Sequence, residues 1–155
     1  MKVERIDHIH IVVKDLEAVA KFFSDLMGTQ FFGPMDAGKG FNFNVSFDDL
    51  GLELLQPTAP GNPVAQHLEE RGEGVAWIGL KVSNLDEAVA ELRAKGISVE
   101  YWRDYSDPAT RGDIMAARTV DPKQTHGVML ELVEYQNVLP ALMANYNKIG
   151  EIPRI

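Results

Sequence analysis

The stretch Ile6-Asp7-His8-Ile9-His10-Ile11-Val12-Val13-Lys14-Asp15-Leu16 decides the fold, because the chain writes it a second time as Val75-Ala76-Trp77-Ile78-Gly79-Leu80-Lys81-Val82-Ser83-Asn84-Leu85. Each copy is a β-branched, alternating run that leads into an Ala/Val/Leu-rich stretch with helical spacing. Each closes later on the same tripeptide, Leu52-Glu53-Leu54 or Leu130-Glu131-Leu132. Self-similarity of this length marks a supersecondary unit packed against its twin. In the first copy the alternation predicts a strand over residues 6–13. Strand residues two apart share a face, so His8, His10 and Val12 point one way and Ile9, Ile11 and Val13 the other.

Working outward, Asp15 is placed to cap a helix whose apolar stripe is Leu16, Val19, Ala20, Phe23 and Met27, stopped by Gly28. A short strand over 29–32 follows, broken by Gly33-Pro34, and 36–40 reads as a loop. The alternation Phe41-Asn42-Phe43-Asn44-Val45-Ser46-Phe47 predicts a strand, joined through Asp48-Asp49-Leu50-Gly51 to another over 52–56. The proline-rich segment 57–63 is a linker, and Asn62-Pro63 starts a short helix that ends near Gly72. The second copy repeats the plan, with Asn84 as cap, a helix stopped at Gly96, strands over 97–105, 114–120 and 128–134, and a turn over 121–126. Helical spacing returns at Leu139, Leu142, Met143 and Tyr146. The fold class expected is α+β. A single domain holds two βαβββ modules, 5–57 and 75–135, joined by a linker and helix over 58–74 and followed by a helical tail over 136–155. Open sheet edges must be paired or covered. The usual solution for such modules is a pseudo-twofold arrangement curling around a shared cavity.

Composition bounds the function. A chain of 155 residues that is 45% hydrophobic can bury one real core and has no room for a large second domain. A net charge of −8 argues against nucleic acid and against an anionic membrane surface, leaving small molecules as partners. The absence of cysteine removes disulfides and thiolate chemistry and is compatible with the cytoplasm. Neither a signal core nor a run of ~20 apolar residues is present. A homodimer is expected, because the edges and the helical tail need covering.

The Asp-His-Ile-x-Ile-x-Val opening at positions 7–13, the Asp121-Pro122…Gly127…Glu131-Leu132 closing pattern and the duplicated plan resemble the vicinal oxygen chelate superfamily, which includes glyoxalases, extradiol dioxygenases and bleomycin-resistance proteins. The resemblance covers residues 5–135. Within it, Leu52-Glu53-Leu54-Leu55-Gln56-Pro57-Thr58, Asn62-Pro63-Val64-Ala65, Arg71-Gly72-Glu73-Gly74 and Gly127-Val128-Met129-Leu130-Glu131-Leu132 look like methylmalonyl-CoA epimerases. The family plan implies a divalent metal, such as Co, Zn, Mn, Ni or Fe, held by one residue from the opening strand and one from the closing strand of each module. Carried onto this chain, those positions are His8, Glu53, Trp77 and Glu131. An imidazole and two carboxylates suit such an ion, which would stabilise the charge formed when a proton leaves a carbon next to a carbonyl. Trp77 breaks the set, since indole has no lone pair for a metal.

Two function classes follow. The first is an isomerase or lyase that abstracts a proton from an oxygen-rich or acyl substrate, with His8, Glu53 and Glu131 as metal ligands. Here His10 and Glu131 are the catalytic candidates, and His10 is open to a ligand role because a His-x-His pair on a strand can reach one ion. The epimerase family uses an acidic group on the middle strand of the first module, where this chain has only Asn42, Asn44 and Ser46 as polar residues. A one-base reaction is therefore favoured over a two-base racemisation. The second class is a metal-free, drug-sequestering binder in which Trp77 and the aromatics at Phe41, Phe43, Tyr101 and Trp102 embrace a planar ligand. An iron-dependent extradiol dioxygenase is a third option. For either main class the substrate-binding candidates are Trp77, Phe41, Phe43, Asn44, Tyr101 and Arg118, the last through an anionic group. Metal analysis of protein purified without chelator separates the main classes. The enzyme reading expects a stoichiometric divalent ion that is lost on His8→Ala, and the binder reading expects a metal-free protein that still takes up ligand.

Overall fold

The computed structural model describes residues 1–38, 40–104, 106 and 114–135. The described residues divide into two compact units, one built from His8–Ala76 and the other from Met1–Asp7 with the residues from Trp77 onward. The expected tail over 136–155 lies outside the described residues, as does residue 105 at the end of the strand expected over 97–105.

The first unit takes the second half of β1 (Val3–Val12), then α1 (Leu16–Met27), β2 (Phe32–Asp36), β3 (Phe43–Phe47), β4 (Leu52–Pro57) and α2 (Pro63–Arg71). Its strands lie in the order β2-β3-β4-β1. β1 runs parallel to β4, with Ile9 opposite Leu52, His10 opposite Glu53 and Ile11 opposite Leu54. β4 with β3, and β3 with β2, are antiparallel. Helix α1 forms where its caps require. Asp15 accepts the Ala18 amide at 3.0 Å, and Gly28, at φ 70, closes the last turn onto Ser24. Its apolar stripe packs Leu16 and Ala20 against Val13, Phe31 and Leu54, with Ile11 and Leu52 beside them. One face of β1 and β4 is thus committed to the helix.

Two boundaries differ from expectation in this unit. Gly33-Pro34 lies inside β2 rather than ending a strand, because β2 is the edge of this unit's sheet, where a proline without N–H does no harm. Gly33 also lets the edge strand come close. A Cβ there would sit 2.8 Å from the Val45 carbonyl oxygen, and its φ of +128° suits only glycine. The register shifts between Phe32 and Met35 to absorb this approach. β3 begins at Phe43 because Asn42 takes a left-handed conformation, φ 55, which a short polar residue tolerates.

The second unit repeats the plan with β5 (Gly74–Val82), α3 (Leu85–Ala94), β6 (Val99–Tyr101), β7 (Ile114–Thr119), a 3-10 turn (Pro122–Thr125) and β8 (Met129–Tyr135). β5 is parallel to β8, which is followed by antiparallel β7 and β6. Helix α3, capped by Asn84 onto Glu87, buries Leu85, Ala88, Val89 and Leu92 against Val82, Val99, Ala117 and Leu132. The strand expected over 97–105 shrinks to three residues, since the Ile97 amide is spent on the carbonyl of Leu92 at the end of α3. The chain start belongs here. Lys2 accepts the Ser83 amide, and Glu4 pairs with Lys81 at 2.9 Å. Among the described residues no helix is long and apolar enough to cross a membrane.

Helix caps are unequal in what they hold. Asn62, 7% exposed, accepts the amides of Val64 and Ala65 and donates to the carbonyls of Asn42 and Ala59, at 2.7–3.0 Å. Asn84 makes a single cap bond to Glu87 at 2.9 Å. In urea unfolding, Asn62→Ala is expected to cost about 2 kcal/mol, because its bonds to the carbonyls of Asn42 and Ala59 are lost along with the cap. Asn84→Ala should cost only ~1 kcal/mol.

Candidate functional site

With Ile11, Leu52 and Leu54 turned to α1, the pleat sends His8, His10 and Val12 of β1, and Glu53 and Leu55 of β4, to the opposite face. Across β4 and β3 the residues sharing that face are Phe47, opposite Glu53, Val45, opposite Leu55, and Phe43, opposite Pro57. Phe32 on β2 stacks on Phe47 with ring centroids 5.8 Å apart, and Phe41 meets Phe43 edge-on at 5.8 Å. The result is a small polar cluster walled by phenyl rings.

The cluster is tight. His8 Nε2 and His10 Nε2 are 2.7 Å apart, with the rings nearly perpendicular. Glu53 Oε2 lies 3.8 Å from His8 Nε2 and 3.9 Å from His10 Nδ1. His10 is 5% exposed, whereas the Glu53 side chain keeps 26% of its surface. Two imidazole nitrogens at 2.7 Å cannot both direct lone pairs at each other without an electropositive centre between them, either a shared proton or a cation. Two imidazoles and a carboxylate are a donor set that fits a borderline divalent ion. His8 and His10 thus turn two imidazole nitrogens of the kind a borderline divalent ion takes toward one point, whereas the His10 atom that Glu53 approaches is the other ring nitrogen, Nδ1.

In the second unit the face away from α3 carries different chemistry. Trp77, 3% exposed, meets Trp102 edge-on at 6.2 Å. Arg118 stacks its guanidinium 4.9 Å from the Trp102 ring centre, stands opposite Glu131 across β7 and β8, and lies 3.6 Å from Glu100. Burial lowers the Arg118 pKa from its ordinary value, and the charges of Glu100 and Glu131 oppose that shift. Glu131 is 6% exposed. Next to β1, the Tyr135 hydroxyl donates to Asp7, and Arg5 bridges the two, with Nη2 2.7 Å from Tyr135 Oη and 3.0 Å from Asp7 Oδ1. Burial, and then the bond to Asp7, raise the Tyr135 pKa above its ordinary value. This clamp fixes the residue that immediately precedes His8.

Two expected substrate-binding residues face elsewhere. Asn44 pairs with Gln56 and shares its side of β3 with Ser46, which is opposite Leu54, so it lies on the α1 face. Tyr101 donates to Asp86 at 2.8 Å, takes Arg93 over its ring and packs into the α3 core, while its neighbour Trp102 turns the other way. The β3 positions that share a face with the histidines are thus Phe43, Val45 and Phe47, none of which transfers a proton. Phe47 and Phe32 were not anticipated as walls. The Phe41–Phe47 alternation hinted at them, but register was needed to say which face they occupy.

A family model for the glyoxalase/bleomycin resistance protein/dioxygenase superfamily matches residues 7–117. The mitochondrial methylmalonyl-CoA epimerase of Homo sapiens is 30% identical over 133 residues, covering 83% of this chain and 72% of the relative. The Mus musculus enzyme of the same name is 29% identical over 136 residues, covering 84% and 73%. Among solved structures, a variant of Streptomyces coelicolor methylmalonyl-CoA epimerase in complex with 2-nitronate-propionyl-CoA superposes with a TM-score of 0.74 at 29% identity, covering 88% of this chain and 98% of that one. With most of its residues inside the family model, and with the duplicated βαβββ plan behind it, the chain belongs to the glyoxalase/bleomycin resistance protein/dioxygenase superfamily.

Proposed function

We propose that this protein is an isomerase-type enzyme that moves a proton on the carbon next to the thioester carbonyl of an acyl-CoA. The observation that carries the reading is the gathering of His8, His10 and Glu53 on one face of the parallel β1–β4 pair. Its choice of substrate class rests on the epimerase relatives and on the CoA ligand of the Streptomyces coelicolor structure. His8, Glu53 and Glu131 are the proposed holders of a divalent ion, with His10 as a further ligand or a proton-transfer group. When bound, the ion supplies Lewis-acid stabilisation of negative charge on the carbonyl oxygen.

The chain's own residues do the rest in this proposal. Glu131 is the proton-transfer group best suited to a one-base reaction, because the β3 positions facing the histidines are apolar. Phe41, Phe43 and Trp77 exclude water and so strengthen the electrostatics at the reacting carbon. Arg118, held flat on Trp102, meets an anionic group of the substrate. Asn44 and Tyr101 drop out of the substrate-binding set, since both face helices. On the same reading the protein works in the cytoplasm as a homodimer. A second reading, metal-free binding of a planar ligand, draws on the aromatic pairs Phe41–Phe43 and Trp77–Trp102.

The test is hydrogen exchange in D2O, followed by NMR, on acyl-CoAs bearing an acidic α-hydrogen, with a divalent ion supplied. Wild type is expected to place deuterium at the α-carbon. Glu131→Gln should slow that exchange by about 10²-fold or more, the usual share of a positioned acid or base. An absence of exchange on every acyl-CoA, together with ligand uptake by chelator-treated protein, would hand the protein to the binding class.

A further inference from the structure

We propose that the outer face of α1 is a twofold interface with a second copy of this chain. The proposal rests on the homodimer of the reading above, names the surface that makes it, and is independent of the acyl-CoA chemistry. Leu16 and Ala20 of α1 are spent on the core, against Val13, Phe31 and Leu54. A second apolar row, Ala18, Phe22 and Leu26, runs along the helix at four-residue spacing and stays in solvent, with Phe22 59% and Leu26 65% exposed. At its C-terminal end come Met27 and, in the turn after β3, Leu50, which is 64% exposed. Thr29 Oγ1 lies 2.9 Å from both Asp48 Oδ2 and Asp49 Oδ1, which ties that turn to the end of α1. A single exposed apolar side chain is ordinary, but several large ones gathered at one helix mark an interaction surface.

The charges along the helix select a second copy as the cover. Glu17, Lys21 and Asp25 form an exposed row beside the apolar one, and Lys21 pairs with Asp25 at 3.0 Å on the helix's own surface. A twofold axis lying in the interface and across the helix reverses its direction without exchanging its flanks, so the charged rows of the two copies lie on the same side. With the axis level with residue 23, Lys21 meets the second copy's Asp25, and Asp25 meets its Lys21. Phe22 then falls between the second copy's Phe22 and Leu26, the ridge-into-groove fit of four-residue rows. The face is complementary to itself in charge and in shape. A lipid surface fits it poorly, since an interfacial helix carries Lys and Arg on its polar face, whereas two of the three charges in this row are acidic.

The two kinds of contact do different work. Burying Phe22 and Leu26 supplies the affinity, while the crossed ion pairs set the register and reject other partners. An exposed ion pair contributes little by itself, but at a twofold axis each pair occurs twice. Reversing one of the two charges therefore turns both pairs into like-charge contacts. Phe22, Leu26, Lys21 and Asp25 all point to solvent in the protomer, so substitutions there leave its core intact.

The experiment measures the dimer dissociation constant of the full-length protein by sedimentation equilibrium, with circular dichroism and thermal unfolding to follow the fold. Wild type is expected to be dimeric at micromolar concentration. Leu26→Glu and Phe22→Ser should each weaken the dimer about thirtyfold or more, the loss expected at the centre of an interface. If one of these two variants misfolds, the other decides. Lys21→Glu and Asp25→Lys should each weaken it about tenfold or more at low salt. An equimolar mixture of those two single variants should regain the wild-type constant, because every position 21 then meets an opposite charge at position 25. That rescue requires the two residues to face each other across copies. A dimer left unchanged by Leu26→Glu in a folded protein, or a mixture without rescue, overturns the interface and leaves the homodimer standing. A monomeric wild type overturns both. If Leu26→Glu also lowers the stability of that monomer, the row belongs to a contact within the chain.

Discussion

The parallel pairing of β1 with β4 constrains everything chemical in the first copy, because its register and the two-residue period of a strand together leave no freedom about which side chains meet. Ile11, Leu52 and Leu54 are claimed by the apolar stripe of α1, so their neighbours His10 and Glu53 must face away from it. A slip of one residue would expose the leucines and drive an imidazole and a carboxylate into the helix contact. The burial that stabilises the unit is thus also what assembles the polar cluster.

The second copy obeys the same rule with different residues. Its Leu80 and Leu132 face α3, and the positions between them present Gly79 and Glu131 to the other side. Duplication preserved the backbone and the closing carboxylates while the surroundings separated. One copy collected imidazoles, the other a guanidinium stacked on indole. Charge balance followed, with Glu131 opposite a permanent cation and Glu53 beside groups able to share one.

Much of this was legible in the sequence. The three helix caps Asp15, Asn62 and Asn84 all accept backbone amides as expected, because a short polar side chain before an apolar stripe leaves little alternative. The shared face of His8 and His10 followed from alternation alone. What alternation does not give is register between strands. Asn44 and Phe43 differ by one position, yet only pairing with β4 shows that the phenyl ring and not the amide joins Glu53's side. Tyr101 and Trp102 divide in the same way. Strand ends were the other weakness. Local events moved them, including the left-handed turn at Asn42, the helix-bound amide of Ile97 and the tolerance of an edge strand for Gly33-Pro34.

Gly33 connects the edge of the sheet to the histidine cluster. Its missing side chain lets β2 close on β3, which seats Phe32 against Phe47, and Phe47 is the residue facing Glu53. The polarity felt by that carboxylate is therefore set partly by a glycine two strands away that touches no functional group. Selection on the chemistry of such a site acts through backbone clearance at positions that read as mere punctuation. A loop-like dipeptide in this chain carries information about the dielectric around its most reactive side chains.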